Sequence, residues 1–224
     1  MYARRPIQHI VIDSTGAYTE LCHIGRLAGT DKSPYNEVEG KHNHPYTAVY
    51  DMLFAPLRGK PIRFAEIGIA GGNSVAMWWN YFRAAADVRH LYFFDRCPIS
   101  IDTVKAMQFP VEPVLGIMDV AVDGDVQRAL KEACPDDLYD VILDDSSHEF
   151  EHQIRIIHEA WPLIRPGGYM IVEDIFRTRD EADYEKALEG VLSEAALVYF
   201  VVCNHEERYS PGWNNDELLV LVKA

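Results

Sequence analysis

The chain has 224 residues, 48% of them hydrophobic and 25% charged, enough to bury one sizeable core as a single domain with a short extension. Its formal net charge of −14 repels phosphate backbones and anionic lipids, which argues against nucleic acid or a membrane surface as partner. No apolar run is long enough to span a bilayer, no cleavable apolar stretch follows the basic Met1–Arg5 segment, and four cysteines stand far apart, so a cytoplasmic protein with reduced thiols is expected.

Residues 1–60 begin irregularly and read as an N-terminal extension and cap. The segment 29–34, Gly-Thr-Asp-Lys-Ser-Pro, is turn-like, and Tyr46 to Leu57 has the spacing of a short amphipathic helix ending near Gly59. From residue 61 the pattern changes and continues to residue 224. Five apolar, strand-length runs (Ile62–Ile67, His90–Phe94, Glu112–Ile117, Tyr139–Leu143, Tyr169–Val172) alternate with helical segments (Ser74–Ala86, Ile99–Met107, Asp125–Ala133, Glu149–Ile164). Such alternation predicts a parallel sheet covered by helices on both faces. After a further helix over Asp183–Ser193, the runs Leu197–Val202 and Glu217–Val222 are joined only by a loop and should pair antiparallel. The expected fold is therefore α/β, a Rossmann-like sheet of seven mostly parallel strands with a C-terminal antiparallel hairpin. A dinucleotide fold would instead keep alternating to its end.

Open α/β sheets bind ligands beyond the carboxyl ends of their strands. The first such end reads Glu66-Ile67-Gly68-Ile69-Ala70-Gly71-Gly72-Asn73-Ser74. Its glycines permit a tight turn and close approach to a ligand, and Ser74 suits the first turn of the next helix. The spacing is not that of a dinucleotide site, and Glu66 suits a cationic ligand better than a pyrophosphate. Asp95, ending the second run, can accept both hydroxyls of a ribose in either class of nucleoside site. Asp119, after the third, can accept from an adenine amino group.

The fourth and fifth ends carry Asp144-Asp145-Ser146-Ser147-His148 and Glu173-Asp174. Asp145, Glu173 and Asp174 on adjacent strands would repel one another unless something positive sits among them. Oxygen-only ligands point to a hard cation, Mg2+ before Zn2+, with neutralisation by arginines such as Arg177 as the alternative. His148 would reach a substrate hydroxyl at that cation and take its proton, and Asp144 joins the cofactor-binding candidates. Residues 148–152, His-Glu-Phe-Glu-His, also match the zinc-protease pattern H-E-x-x-H. That pattern belongs inside a long helix, whereas here it follows a strand and a polar turn, and no third ligand stands at a recognisable spacing.

Taken together, Gly-Thr-Asp-Lys (29–32), His44-Pro45-Tyr46, Glu-Ile-Gly (66–68), Gly-Gly-Asn-Ser (71–74), Asp-Asp-Ser-Ser-His (144–148), Pro-Gly-Gly (166–168) and Glu-Asp (173–174) resemble the macrocin/mycinamicin type of metal-dependent sugar O-methyltransferases. Proteins of cephalosporin clusters are also similar. Ser146 stands where the family turn has glycine, and the large N-terminal domain of mycinamicin-type enzymes has no counterpart in these residues. The resemblance implies a class I fold that binds S-adenosylmethionine (AdoMet) and Mg2+. Glu66, Gly68, Gly72, Ser74, Asp95, Asp119 and Asp144 would serve the cofactor, Asp145, Glu173 and Asp174 the metal, and His148 would be the general base. The implied reaction is methyl transfer to a hydroxyl of a small acceptor, a sugar or sugar-bearing natural product of secondary metabolism such as an antibiotic. An N-methyltransferase of an amino sugar and a non-catalytic AdoMet-fold subunit are the alternatives. The segment 204–216, with residues 30–46, is expected to close over the acceptor. Expected partners are the acceptor and further copies of the same chain.

Overall fold

The computed structural model describes residues 7–38, 40, 42–83 and 89–224; the Met1–Arg5 segment and the end of the helix expected over 74–86 lie outside them. Eight strands form one sheet: β1 (Gln8–Asp13), β2 (Ile62–Ile67), β3 (Arg89–Asp95), β4 (Val114–Ile117), β5 (Tyr139–Asp144), β6 (Ile164–Val172), β7 (Ala195–Asn204) and β8 (Glu217–Lys223). Their spatial order is β1-β7-β8-β6-β5-β2-β3-β4. Strands β2 to β6 pair parallel, while β8 inserts between β6 and β7 and runs antiparallel to both.

The expected count of seven strands is corrected to eight. The eighth is β1, which pairs parallel with β7 over Gln8–Asp13 and Tyr199–Asn204. It lies at the sheet edge with four of its six residues exposed and none buried, so its apolar content is too thin to stand out in the sequence. Hence β1, not the hairpin, ends the sheet, and the first 60 residues contribute to it. They also contain helix α1 (Glu20–Ala28), which the sequence pattern does not signal. Thr19 caps it by accepting from the Cys22 amide, and Gly29 ends it in the left-handed conformation, the usual pair of helix start and stop devices.

The remaining helices fall close to the expected segments: α2 (Thr47–Phe54), α3 (Asn73–Phe82), α4 (Pro98–Ala106), α5 (Asp125–Ala133) and α6 (Phe150–Ala160). The single helix expected over Asp183–Ser193 is two, α7 (Glu181–Ala187) and α8 (Glu189–Glu194), broken at Leu188. Helices α1 to α4 pack on one face of the sheet, around Phe54, Phe64, Trp78 and Phe93. Helices α5 to α8 cover the other, around Ile142, Ile156, Leu192 and Leu219. With both faces covered, β5 is buried at every residue, which is why it reads as a continuous apolar run. No helix among the described residues is long and apolar enough to cross a membrane.

Two strand ends meet at Gly68. It has φ +90°, and a Cβ there would lie 2.1 Å from the carbonyl oxygen of Asp145. The Gly68 amide donates to Phe94 and the Asp145 amide to Ile67, both at 2.8 Å, so neither chain can retreat. Gly68→Ala should therefore lower unfolding free energy by roughly 2 kcal/mol or more in urea titrations. Gly190→Ala, in α8 with open space around it, should be neutral or slightly stabilising; equal losses at both positions would contradict the close-approach argument.

Candidate active site

The carboxyl ends of β2, β3, β4 and β5 surround a crevice of about 430 Å3, lined by Gly68, Asp95, Met118, Asp119, Ser146 and His152 among others. A smaller cavity of about 220 Å3 adjoins it and shares Gly68, Ala70, Asp95 and Ser146, adding Ser74, Asp145 and His148. Asp95 Oδ2 accepts from the Ile69 and Ala70 amides at 3.1 Å, and Oδ1 from the Cys97 amide at 2.8 Å. One carboxylate thus anchors the glycine turn and the start of α4, with an acceptor position left over from its four lone-pair directions. Asp119 Oδ1 accepts from Ala121 at 3.0 Å, while its own amide donates to Asp125. Gly72, at φ +80°, packs against Val104 and Met107 and begins α3.

Two of the residues assigned to cofactor binding, Glu66 and Asp144, work from behind this surface. Glu66 is fully buried and accepts from Ser74 Oγ at 2.9 Å and Trp78 Nε1 at 3.2 Å. Burial outweighs the attraction of Lys32 and pushes its carboxyl up to about 7. Lys32 Nζ lies 3.4 Å from Glu66 Oε1, so a cationic side chain of the protein itself stands beside this turn. Asp144 is also buried; its Oδ1 accepts from the amide and hydroxyl of Ser146 at 3.1 and 2.6 Å, and burial raises it to about 6. It shapes the turn that carries Asp145 to His148.

The positive group among the acidic strand ends is Lys32, which sequence reasoning misses. Only 1% exposed, its Nζ donates to Asp145 Oδ2 and, at 2.6 Å, to Glu173 Oε2, and lies 3.4 Å from Glu66 Oε1. Burial alone would depress the lysine, but the surrounding carboxylates reverse this and hold it well above its ordinary value. Glu173 receives a second donor, the Tyr50 hydroxyl, at 2.6 Å. Both its oxygens are thereby engaged. Arg177, the neutralising candidate, instead donates to the carbonyls of Cys203 and Asp216 and to Asn204 Oδ1. Lys32 belongs to the Gly-Thr-Asp-Lys segment, a visible signal whose burial nothing in the sequence announces.

Asp145, His148 and Asp174 form a second group, with one ligand atom from each lying within 4.8 Å of the others. His148 Nε2 is 3.5 Å from Asp174 Oδ2. Asp174 Oδ1 accepts from the Tyr46 hydroxyl at 2.6 Å and lies 3.7 Å from His44 Nδ1, which is bonded to Asp216 Oδ1 at 2.8 Å. Burial opposes protonation of His44, but Asp174 and Asp216 prevail and raise it. His148 and Asp174 both hold φ +58°, a left-handed backbone that is costly outside glycine, by about 1 kcal/mol or more each. In both cases the strain accompanies a side chain turned into the cluster.

His152 lies in the first turn of α6 and bonds Ser147 Oγ at 2.8 Å, whereas His148 precedes the helix. The two histidines of the H-E-x-x-H match are thus not presented together on a helix, and the acidic group includes only His148. Over the site, Asn43 and Tyr209 exchange backbone hydrogen bonds at 2.7 and 3.2 Å. Tyr46 reaches the Asn215 carbonyl at 3.0 Å, and Trp213 sets its ring edge to His42 and His148. Residues 42–46 and 209–216 are thereby joined as one layer.

Residues 65–175, spanning the strand ends described above, match the family described as "Methyltransferase domain". Among curated proteins, the chain is 30% identical over 140 residues to an 8-demethyl-8-(2-methoxy-alpha-L-rhamnosyl)-tetracenomycin-C 3'-O-methyltransferase of Streptomyces olivaceus, covering 59% of this chain and 33% of that protein. It is 29% identical over 140 residues to demethylmacrocin O-methyltransferase of Streptomyces fradiae, covering 59% and 32%. The chain therefore spans about a third of the length of these relatives. Among solved structures, the MycE methyltransferase of the mycinamycin pathway, in complex with Mg and SAH, superposes with a TM-score of 0.63 at 19% identity, covering 92% of this chain and 55% of that one. The chain thus has the α/β fold of class I methyltransferases, carries a region that matches a methyltransferase domain, and is similar in sequence to macrocin- and mycinamicin-type O-methyltransferases.

Proposed function

We propose that the chain is an AdoMet-dependent, divalent-cation-assisted O-methyltransferase acting on a hydroxyl of a sugar or sugar-bearing natural product. One observation carries the reading. A nucleoside-sized crevice opens, through Gly68 and Ser146, directly onto the cluster of Asp145, His148 and Asp174. The sugar acceptor is taken from the relatives, whose names specify rhamnosyl, macrocin and mycinamicin substrates.

The residues present suit the two groups that this chemistry requires. Asp145 Oδ1 and Asp174 Oδ2 receive no hydrogen bond among the described residues, so each offers a hard oxygen donor of the kind that binds Mg2+. Lys32 alone faces three carboxyl groups, which leaves the neighbourhood rich in acid and receptive to a second cation. The spare acceptor capacity of Asp95 suits a ribose hydroxyl, and Asp119, which lines the same crevice, suits an adenine amino group. Glu66, Gly72, Ser74 and Asp144 support this surface by fixing the two turns that form it.

When bound, AdoMet supplies a methyl group already activated on sulfur and the cation makes the acceptor hydroxyl more acidic. Asp145 and Asp174 would hold that cation. His148 Nε2, beside Asp174, receives the hydroxyl proton as the oxygen takes the methyl group. The layer of residues 42–46 and 209–216 keeps bulk water from the acceptor, and the rigid strand ends supply alignment, which converts a bimolecular displacement into a near-unimolecular one.

Calorimetry should show AdoMet or its demethylated product binding in roughly the micromolar range, and Asp95→Ala should weaken it at least tenfold. Saturable NAD+ binding with no response to AdoMet would overturn the cofactor assignment. Methyl transfer to glycosylated polyketides, followed with labelled AdoMet, should vanish with EDTA and return with Mg2+ or Mn2+; undiminished turnover after exhaustive chelation would remove the metal from the mechanism. His148→Ala should fold and bind AdoMet normally yet lose about two to four powers of ten in kcat. Near-normal kcat in that variant, with loss in His44→Ala or His152→Ala, would place the base elsewhere.

A further inference from the structure

Lys32 raises a question that the proposed reaction leaves open. Its ammonium occupies the inner side of the same acidic cluster, bonded to Asp145 and Glu173 and within 3.4 Å of Glu66. Asp145 is the pivot: its Oδ2 accepts from Lys32, and one of its carboxylate oxygens lies within 4.8 Å of ligand atoms of His148 and Asp174. A buried ammonium and a divalent ion sharing one carboxylate at such range repel strongly, because little water screens them. They also draw on the same limited negative charge.

We infer that Lys32, anchored on Glu173, is an internal counter-cation that competes with the divalent ion for Asp145 and so sets the metal affinity of the site. The inference rests on the metal-assisted reading above. Lys32 acts as a positioning residue: it holds Asp145 and Glu173 together before metal arrives and keeps the ion's hold on Asp145 weak enough to be reversible. Because Lys32 follows α1 and the capping Gly29, while Tyr46 and Tyr50 bind Asp174 and Glu173 from the start of α2, its displacement by metal would be felt through the whole covering layer. Its removal uncovers charge that a metal would then satisfy.

The test is Mn2+ binding followed by electron paramagnetic resonance, with thermal unfolding measured with and without Mn2+, on wild type, Lys32→Met and Lys32→Arg. Lys32→Met should bind Mn2+ on the order of 10- to 100-fold more tightly than wild type, the usual range for residues that tune a ligand without touching the metal. Its melting temperature should fall without metal and recover with Mn2+. Lys32→Arg, which keeps the charge, should bind no more tightly than wild type. Unchanged or weaker Mn2+ affinity in Lys32→Met would overturn the inference. Should Lys32→Met not fold alone, recovery by millimolar Mn2+ supports the inference and failure to recover overturns it. Binding by Lys32→Met but not by wild type would support it while refuting metal assistance in the native protein. No binding by either would refute both.

Discussion

The site depends on a single buried ammonium. Lys32 joins a turn near the N-terminus to strand ends more than a hundred residues later, and it does so at 1% exposure. A buried cation of this kind is tolerable only because its carboxylate partners are already in place, and those partners are tolerable only because of it. The arrangement makes the covering layer and the sheet interdependent. Tyr46 and Tyr50 reinforce it, each giving its hydroxyl to a carboxylate of β6's end. Such a network fixes geometry more than it adds stability, since the cost of drying the charges offsets most of their attraction.

The division of labour around the strand ends follows from which side of the sheet each residue faces. Glu66 points toward α3, to Ser74 and Trp78, while its neighbours Ala65 and Ile67 face the opposite core. It therefore braces the glycine turn without lining the crevice. Asp95, at the last position of β3, lies where alternation no longer hides it, and it both supports the turn and borders the ligand space. The same distinction separates Asp144 from Asp145: one faces in to fix Ser146, the next faces out to the cluster.

Much of this architecture is legible in the order of the residues. Buried parallel strands declare themselves as apolar runs, so β2, β3, β5 and the carboxyl end of β6 can be read with little error, whereas the first half of β6, from Ile164 and exposed at 165–167, escapes. The acidic cluster and His148 follow from those ends. Strand β1 and helix α1 are less legible: the first is short and mostly exposed, and the second, though amphipathic, is only nine residues long between Thr19 and Gly29 within an otherwise irregular segment. Lys32 escapes for another reason. A lysine in a polar turn reads as solvated, and only the long-range closure of the N-terminal segment on β5 and β6 makes it a core residue. The carboxylates at the strand ends call for a positive charge among them, but distance along the chain conceals its source.

His148 and Asp174 hold left-handed backbones that neither residue favours. Glycine or asparagine would adopt those conformations more readily. Laboratory selection for heat resistance alone would thus tend to erode both positions, since relaxing them relieves local strain. Under the proposed function, durability and chemistry are therefore set against each other at these two residues. A search for hardier variants would do well to hold both positions constant and seek its gains on the far side of the sheet.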